Sequence, residues 1–227
     1  MKNFTFSNRI RKLAEIAGPC NTMADIGTDH ALLPIFMLKE GLCKKAIACD
    51  INEGPLAKAA LDVSEAEIDS ALVDLRLGNG LERLQPGECD TIVIAGMGGL
   101  LIADILENGK KIFEKPCRLI MQPNTCRPEL RTYLAENGFE ISDESACEDE
   151  GHTYLFITAE YTGVKRTIDF KESVLGTKLQ DKPEDFKIYC AELKEKYERK
   201  LDGLRMSQQD VSEEIQKAEL ILKEVRL

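Results

Sequence analysis

Between residues 21 and 137, short unbroken apolar runs alternate with stretches of helical periodicity. No other feature of the chain restricts its possible folds as much. Apolar runs of this kind are the strands of parallel sheets, because crossover helices cover both faces of such a sheet. The pattern predicts strands over residues 21–26, 45–51, 73–77, 90–95 and 118–122, the last ended by Pro123. It predicts helices over residues 31–40, 55–69, 100–108 and 128–137. Ser7 can cap an earlier helix running to Ala17, with Ile10, Leu13, Ala14 and Ala17 on one face and Gly18-Pro19 as its stop. Residues 139–142 and 153–161 read as two final strands separated by an acidic loop. The fold class expected is α/β.

Beyond residue 165 the pattern changes. Phe186, Cys190, Leu193, Tyr197, Leu201 and Leu204 recur at intervals of three and four, as do Val211, Ile215, Ala218, Leu222 and Val225. Two amphipathic helices are expected, joined by a short turn at residues 206–208 and packed as an antiparallel, coiled-coil-like hairpin. Pro183 marks their start, and Ser207 with Asp210 has the spacing of a capping box. The expected organisation is a ligand-binding α/β domain over residues 1–163 and a helical hairpin appendage over residues 164–227.

Composition excludes several classes. Apolar residues make up 43% and charged residues 31%, so the chain can bury a core. Its longest apolar runs fall far short of the ~20 residues that span a bilayer. The first eighteen residues lack the apolar centre of a secretory signal, so a cytoplasmic protein with no membrane attachment is expected. The 8 cysteines include no C-x-x-C pair. They are expected to be small buried hydrophobes in a reducing compartment, and no metal is expected. The net charge of −10 resides in residues 1–160, which carry 16 basic and 26 acidic groups, whereas residues 161–227 carry 14 of each. A local basic face can still serve a polyanion on an acidic chain.

In a parallel sheet, ligands bind beyond the C-terminal ends of the strands, so the residues that follow each strand are informative. The first strand ends Asp25-Ile26-Gly27-Thr28-Asp29-His30, where Gly27 lets a ligand approach the backbone. The second ends at Asp50, followed by Ile51, and a carboxylate there is placed for ribose hydroxyls. The third is followed by Asn79 and Gly80; Asn79 offers a donor and an acceptor to an adenine edge. These three ends suit an adenosine. A dinucleotide is disfavoured, because the Gly27 turn places Asp29 where G-x-G-x-x-G has glycine, and a carboxylate there repels pyrophosphate. S-adenosylmethionine carries a sulfonium and an ammonium, which Asp25 and Asp29 complement. The fourth strand ends Ala95-Gly96-Met97-Gly98-Gly99, a close backbone wall beside the reacting centre. After the fifth, Gln122 and Asn124 can either hold a planar base or cap the next helix. These residues leave three activities open: methyl transfer to a nucleic acid, methyl transfer to a small molecule or protein, and adenosine-ligand sensing without turnover.

Several blocks resemble the bacterial tRNA (adenine-N1)-methyltransferases that modify position 22. They are Asp25-Ile-Gly-Thr-Asp-His-Ala31 with Leu33-Pro34, Asp50 with Gly54-Pro55-Leu56, Arg76-Leu-Gly-Asn-Gly-Leu81 and Asp90-Thr-Ile-Val-Ile-Ala-Gly-Met-Gly-Gly99. Gln122-Pro-Asn124 and the acidic stretch before Tyr154 fit as well; Leu32 departs from the pattern, where an aromatic is common. The resemblance implies a Rossmann-like, seven-stranded class I methyltransferase sheet, S-adenosylmethionine as donor with S-adenosylhomocysteine as product, and tRNA as partner, with no obligate protein partner. Asp29 is then the candidate catalytic carboxylate, beside the cationic ring that forms when adenine N1 accepts a methyl group. Arg9, Arg11 and Lys12 are candidates for the tRNA backbone, together with Lys194, Lys196, Arg199 and Lys200 of the hairpin.

Overall fold

The structure is a computed structural model that describes residues 4–207 and 209–225. The chain opens with α1 (Asn8–Ala17), capped by Ser7, whose hydroxyl accepts from the Ile10 amide. Then follow β1 (Cys20–Ile26), α2 (Leu32–Lys39), β2 (Cys43–Asp50), α3 (Glu53–Glu65), β3 (Val73–Leu77), β4 (Thr91–Gly98) and α4 (Gly99–Asn108). The sheet is completed by β5 (Arg118–Thr125), α5 (Arg127–Glu136), β6 (Phe139–Asp149) and β7 (His152–Tyr161). The C-terminal part holds α6 (Phe170–Leu175), α7 (Pro183–Arg205) and α8 (Ser212–Glu224).

The seven strands form one sheet in the order β3-β2-β1-β4-β5-β7-β6. The first five are parallel; β7 runs antiparallel to both β5 and β6. The order reverses between β1 and β4, which makes the crest of those two strands the switch point at which such sheets bind ligands. One face packs under α1, α2 and α3, burying Leu13, Met37, Val63 and Val93. The other face packs under α4, α5 and the C-terminal helices.

Tyr189, Cys190, Leu193 and Tyr197 of α7 and Ala218 and Ile221 of α8 share one apolar cluster with Leu130 and Leu134 of α5 and Ala146 of β6. The hairpin thus extends the sheet's own core. A buried ion pair lies at this seam. Arg131 Nε of α5 meets Glu144 Oε1 of β6 at 2.7 Å, while Arg131 Nη1 donates to the carbonyls of Ser173 and Val174 in α6. The remaining carboxylate oxygen accepts from the amides of Lys178 and Leu179.

Four local expectations are corrected. The acidic loop expected after residue 142 is strand, because Glu144 and Ser145 turn inward and β6 runs to Asp149. Pro123 does not end β5, which continues beside β4 through a register shift at Met97. α6 lies in a stretch where no element was expected. The Ser207/Asp210 capping box does not form: Ser207 accepts from the Gln209 amide, Asp210 accepts from Ser212, and Val211 occupies the N-cap. Gln208, at the expected turn, lies outside the described residues.

Candidate active site

The turn after β1 is held by two hydrogen bonds, in which the amides of Gly27 and Thr28 both donate to the Cys49 carbonyl, at 2.8 and 2.9 Å. This leaves Gly27 at φ +80°, a conformation that L side chains rarely adopt. A Cβ there would lie 2.2 Å from Met97 Cε, so the Met97 side chain crosses the turn from the neighbouring strand. The turn after the core of β4 is anchored by side-chain amides. The Gly96 amide donates to Gln122 Oε1 at 3.1 Å, and Asn124 Nδ2 donates to the Gly96 carbonyl at 2.9 Å. Gln122 Nε2 in turn donates to Asn124 Oδ1 at 2.8 Å. Gln122 is fully buried and accepts a second bond from Arg9 Nη1 at 3.0 Å. Arg9 lies over the Tyr154 ring, 5.5 Å from its centroid.

These turns enclose a cavity of about 290 Å3 at the switch point, lined in part by Arg9, Asp25, Gly27, Asp29, His30 and Gly96. Ala95 completes the β4 side, and Leu13, Leu32 and Leu33 make its apolar wall. Asp25 is buried at its base. Burial pushes its carboxyl up from 3.8 to about 6, against the opposing pull of the Thr28 hydroxyl and the Arg9 guanidinium. Asp29 stands at the mouth, its side chain 68% exposed, with Lys58 Nζ 4.0 Å away. His30 Nδ1 lies 2.6 Å from Asp62 Oδ2 of α3.

The other expected residues lie along the same crest but outside this cavity. Asp50 ends β2 with its carboxylate accepting from the Asn52 amide at 2.8 Å, and Ile51 beside it is exposed. Asn79 and Gly80 line a separate cleft of about 530 Å3 under α4. Gly98 caps α4, and Gly99 packs against the β5–α5 connection so closely that a Cβ would lie 2.2 Å from the Cys126 carbonyl. Asn124 borders a third cleft, of about 600 Å3, with Arg127, His152, Tyr154 and Arg199. The basic residues of α1 diverge. Arg9 faces the site, Arg11 stacks over Phe36 at 5.4 Å, and Lys12 pairs with Glu15 at 3.4 Å. Asp62 was missed from the sequence, although it interrupts the apolar face that Ala59, Val63 and Ala66 form on α3 and its C-cap.

A methyltransferase domain family model matches residues 6–157. The tRNA (adenine(22)-N1)-methyltransferase of Bacillus subtilis strain 168 is 39% identical over 160 residues, covering 70% of this chain and 67% of that one. The chain belongs to this family. Its fold is shared along almost its whole length with family members of known structure. The B. subtilis m1A22 tRNA methyltransferase TrmK is 30% identical, with a TM-score of 0.81 over 98% of this chain and 99% of that one. The Streptococcus pneumoniae protein Sp1610, solved in complex with S-adenosyl-L-methionine, is 32% identical, with a TM-score of 0.80 over 96% of this chain and 100% of that one.

The crest of this member fits that cofactor. Gly27 and Gly96 line the cavity at positive φ, and Asp25 and Asp29 supply carboxylates that suit the sulfonium and ammonium of the ligand. Among the described residues, no group of three or more His, Cys, Asp or Glu could hold a metal ion. No helix among them is long and apolar enough to cross a membrane.

Proposed function

We propose that the chain transfers the methyl group of S-adenosylmethionine to N1 of adenine 22 in tRNA. The observation that carries this reading is the pairing of a buried carboxylate, Asp25, with an exposed one, Asp29, on either side of the Gly27 turn at the switch point. When bound, the cofactor supplies a methyl group activated by a sulfonium. In this reading Asp25 takes the ammonium end, Asp50 and Ile51 flank the ribose and base, and Asn79 and Gly80 reach the adenine edge. Gly27, Gly96, Met97 and Gly98 form the wall behind the methyl group.

Asp29 serves the acceptor. Methylation at N1 makes the adenine ring cationic, and a carboxylate at the cavity mouth stabilises that charge and accepts from the 6-amino group. The rest of the rate comes from alignment of two bound reactants. Gln122 and Asn124 fix the Gly96 backbone, and Arg9 holds Gln122 in place. The target base must leave its stack, which costs a few kcal/mol. Contacts to tRNA phosphates offset that cost. Arg11, Lys12 and the basic groups of the hairpin over residues 164–227 are proposed for this role. The enzyme then works in the cytoplasm on free tRNA, with neither a metal nor an obligate protein partner.

The test is transfer of labelled methyl from S-adenosylmethionine into bulk unmodified tRNA, compared with small metabolites and protein. Label in tRNA, with affinity falling steeply between low and moderate salt, is the expected outcome. Label in metabolites or protein alone, or cofactor binding without turnover, would contradict the proposal.

A further inference from the structure

Asp62 is a buried carboxylate whose side chain is 7% exposed, set among Ala59, Val63 and Ala66 on the apolar face of α3. A charge in such a place is costly unless a strong hydrogen bond repays it. One partner is the ring of His30, at 2.6 Å through Nδ1. The next residue, Ala31, is held at φ +50° although it is not glycine, so the chain around His30 is kept in a disfavoured conformation. Strain of this kind persists where the surrounding structure over-determines it, and it clusters at active sites. The ring's other nitrogen, Nε2, lies 3.6 Å from Asp29 Oδ2 at the cavity wall. That is too long for a hydrogen bond between the two. The exposed Asp29 side chain can turn outward to the ~5 Å at which two acceptors share one planar amine.

We propose that Asp62 is a positioning residue that fixes the His30 tautomer with its proton on Nδ1, so that bare Nε2 and the Asp29 carboxylate together accept the two hydrogens of the target adenine's 6-amino group. The inference rests on the function proposed above and names how its acceptor base is recognised. An ionised Asp62 can only accept, so the shared proton sits on Nδ1 and leaves Nε2 a lone pair. As N1 takes the methyl group and the ring becomes cationic, both N6–H bonds become stronger donors, and the paired acceptors respond to that change rather than to the ground state. Charged groups nearby among the described residues include Lys58, 4.0 Å from Asp29, and Asp25 and Arg9 in the same cavity.

The chain has only two histidines, His30 and His152, so imidazole 15N spectroscopy of the full-length protein is readable once His152→Gln assigns the second ring. The proposal predicts a proton on His30 Nδ1 and a bare Nε2 in the wild type, with loss of that preference in Asp62→Asn. It also predicts that Asp62→Asn lowers the single-turnover rate on tRNA by about tenfold to a hundredfold, by analogy with loss of the carboxylate that orients a metal-ligating histidine. S-adenosylmethionine affinity should stay unchanged. Placing purine riboside, which lacks the 6-amino group, at position 22 should erase the difference between wild type and Asp62→Asn. A proton on Nε2 in the wild type would overturn the proposal, as would an Asp62→Asn penalty of equal size on adenosine and purine. If wild type fails to methylate tRNA at all, the proposed function falls instead, and the 15N result still decides how the ring is held. Should Asp62→Asn not fold, the wild-type spectrum and the wild-type preference for adenosine over purine decide the matter, and absence of either overturns it.

Discussion

Asp25→Asn should make the protein more stable while removing its cofactor binding. The carboxyl is moved from 3.8 to about 6 by burial, so the fold works against its ionisation. At about 1.4 kcal/mol per pH unit, this displacement corresponds to about 3 kcal/mol. The sign follows from linkage. A carboxyl with a raised folded pKa supports the fold below its unfolded value, and this support is lost as pH rises through about 6. At pH 7.5 the wild type bears the full cost, and an uncharged Asn escapes it. The gain should be about 3 kcal/mol at pH 7.5, about half of that at pH 5 and small at pH 4. For a chain of this size it corresponds to a rise of roughly 6–12 °C in melting temperature. Calorimetric melts of both proteins without cofactor, at the three pH values, measure it, and titration with S-adenosylmethionine measures the loss of binding. Equal stability at pH 7.5, or a gain that does not shrink as pH falls, would refute the reasoning that Asp25 is kept charged for a ligand at the fold's expense.

Three other perturbations test separate parts of the account. Asp29→Asn should lower single-turnover methylation by about a hundredfold with the cofactor bound, and an unchanged rate measured by rapid quench would remove Asp29 from catalysis. Gly27→Ala forces an L residue into φ +80° and drives its methyl into Met97, so S-adenosylmethionine affinity by calorimetry should fall about tenfold or more. Glu144→Gln leaves the buried Arg131 without its counter-charge, and denaturant unfolding should show a loss of about 3–5 kcal/mol; a loss under 1 kcal/mol would mean that the pair is not what ties the C-terminal helices to the sheet.

The central strands were legible because they are short apolar runs whose burial on both faces demands near-continuous hydrophobicity; β4 was expected over residues 90–95 and runs Thr91–Gly98, while β3 matches its expected bounds, Val73–Leu77, at the sheet edge, where only Val73 is buried. The acidic stretch was not legible. A glutamate such as Glu144 reads as solvent-facing until its partner is known, and Arg131 lies on a different element. The site divides the same way. Asp25, Gly27, Asp29, His30 and Gly96 could be found because strand ends follow from strand positions and glycines mark positive φ. The link from Gln122 to both Arg9 and Gly96 joins three elements far apart in the chain, and no local pattern encodes it. Arg9 illustrates the consequence. As a sequence feature it groups with Arg11 and Lys12, yet one helical turn directs each of the three to a different neighbour.

The most direct test is nucleoside mass spectrometry of two unmodified tRNA transcripts, one with adenine and one with guanine at position 22, after incubation with the protein and S-adenosylmethionine. The account predicts 1-methyladenosine in the first and none in the second. Equal methylation of both, or a methyl group found on any other atom, would contradict it.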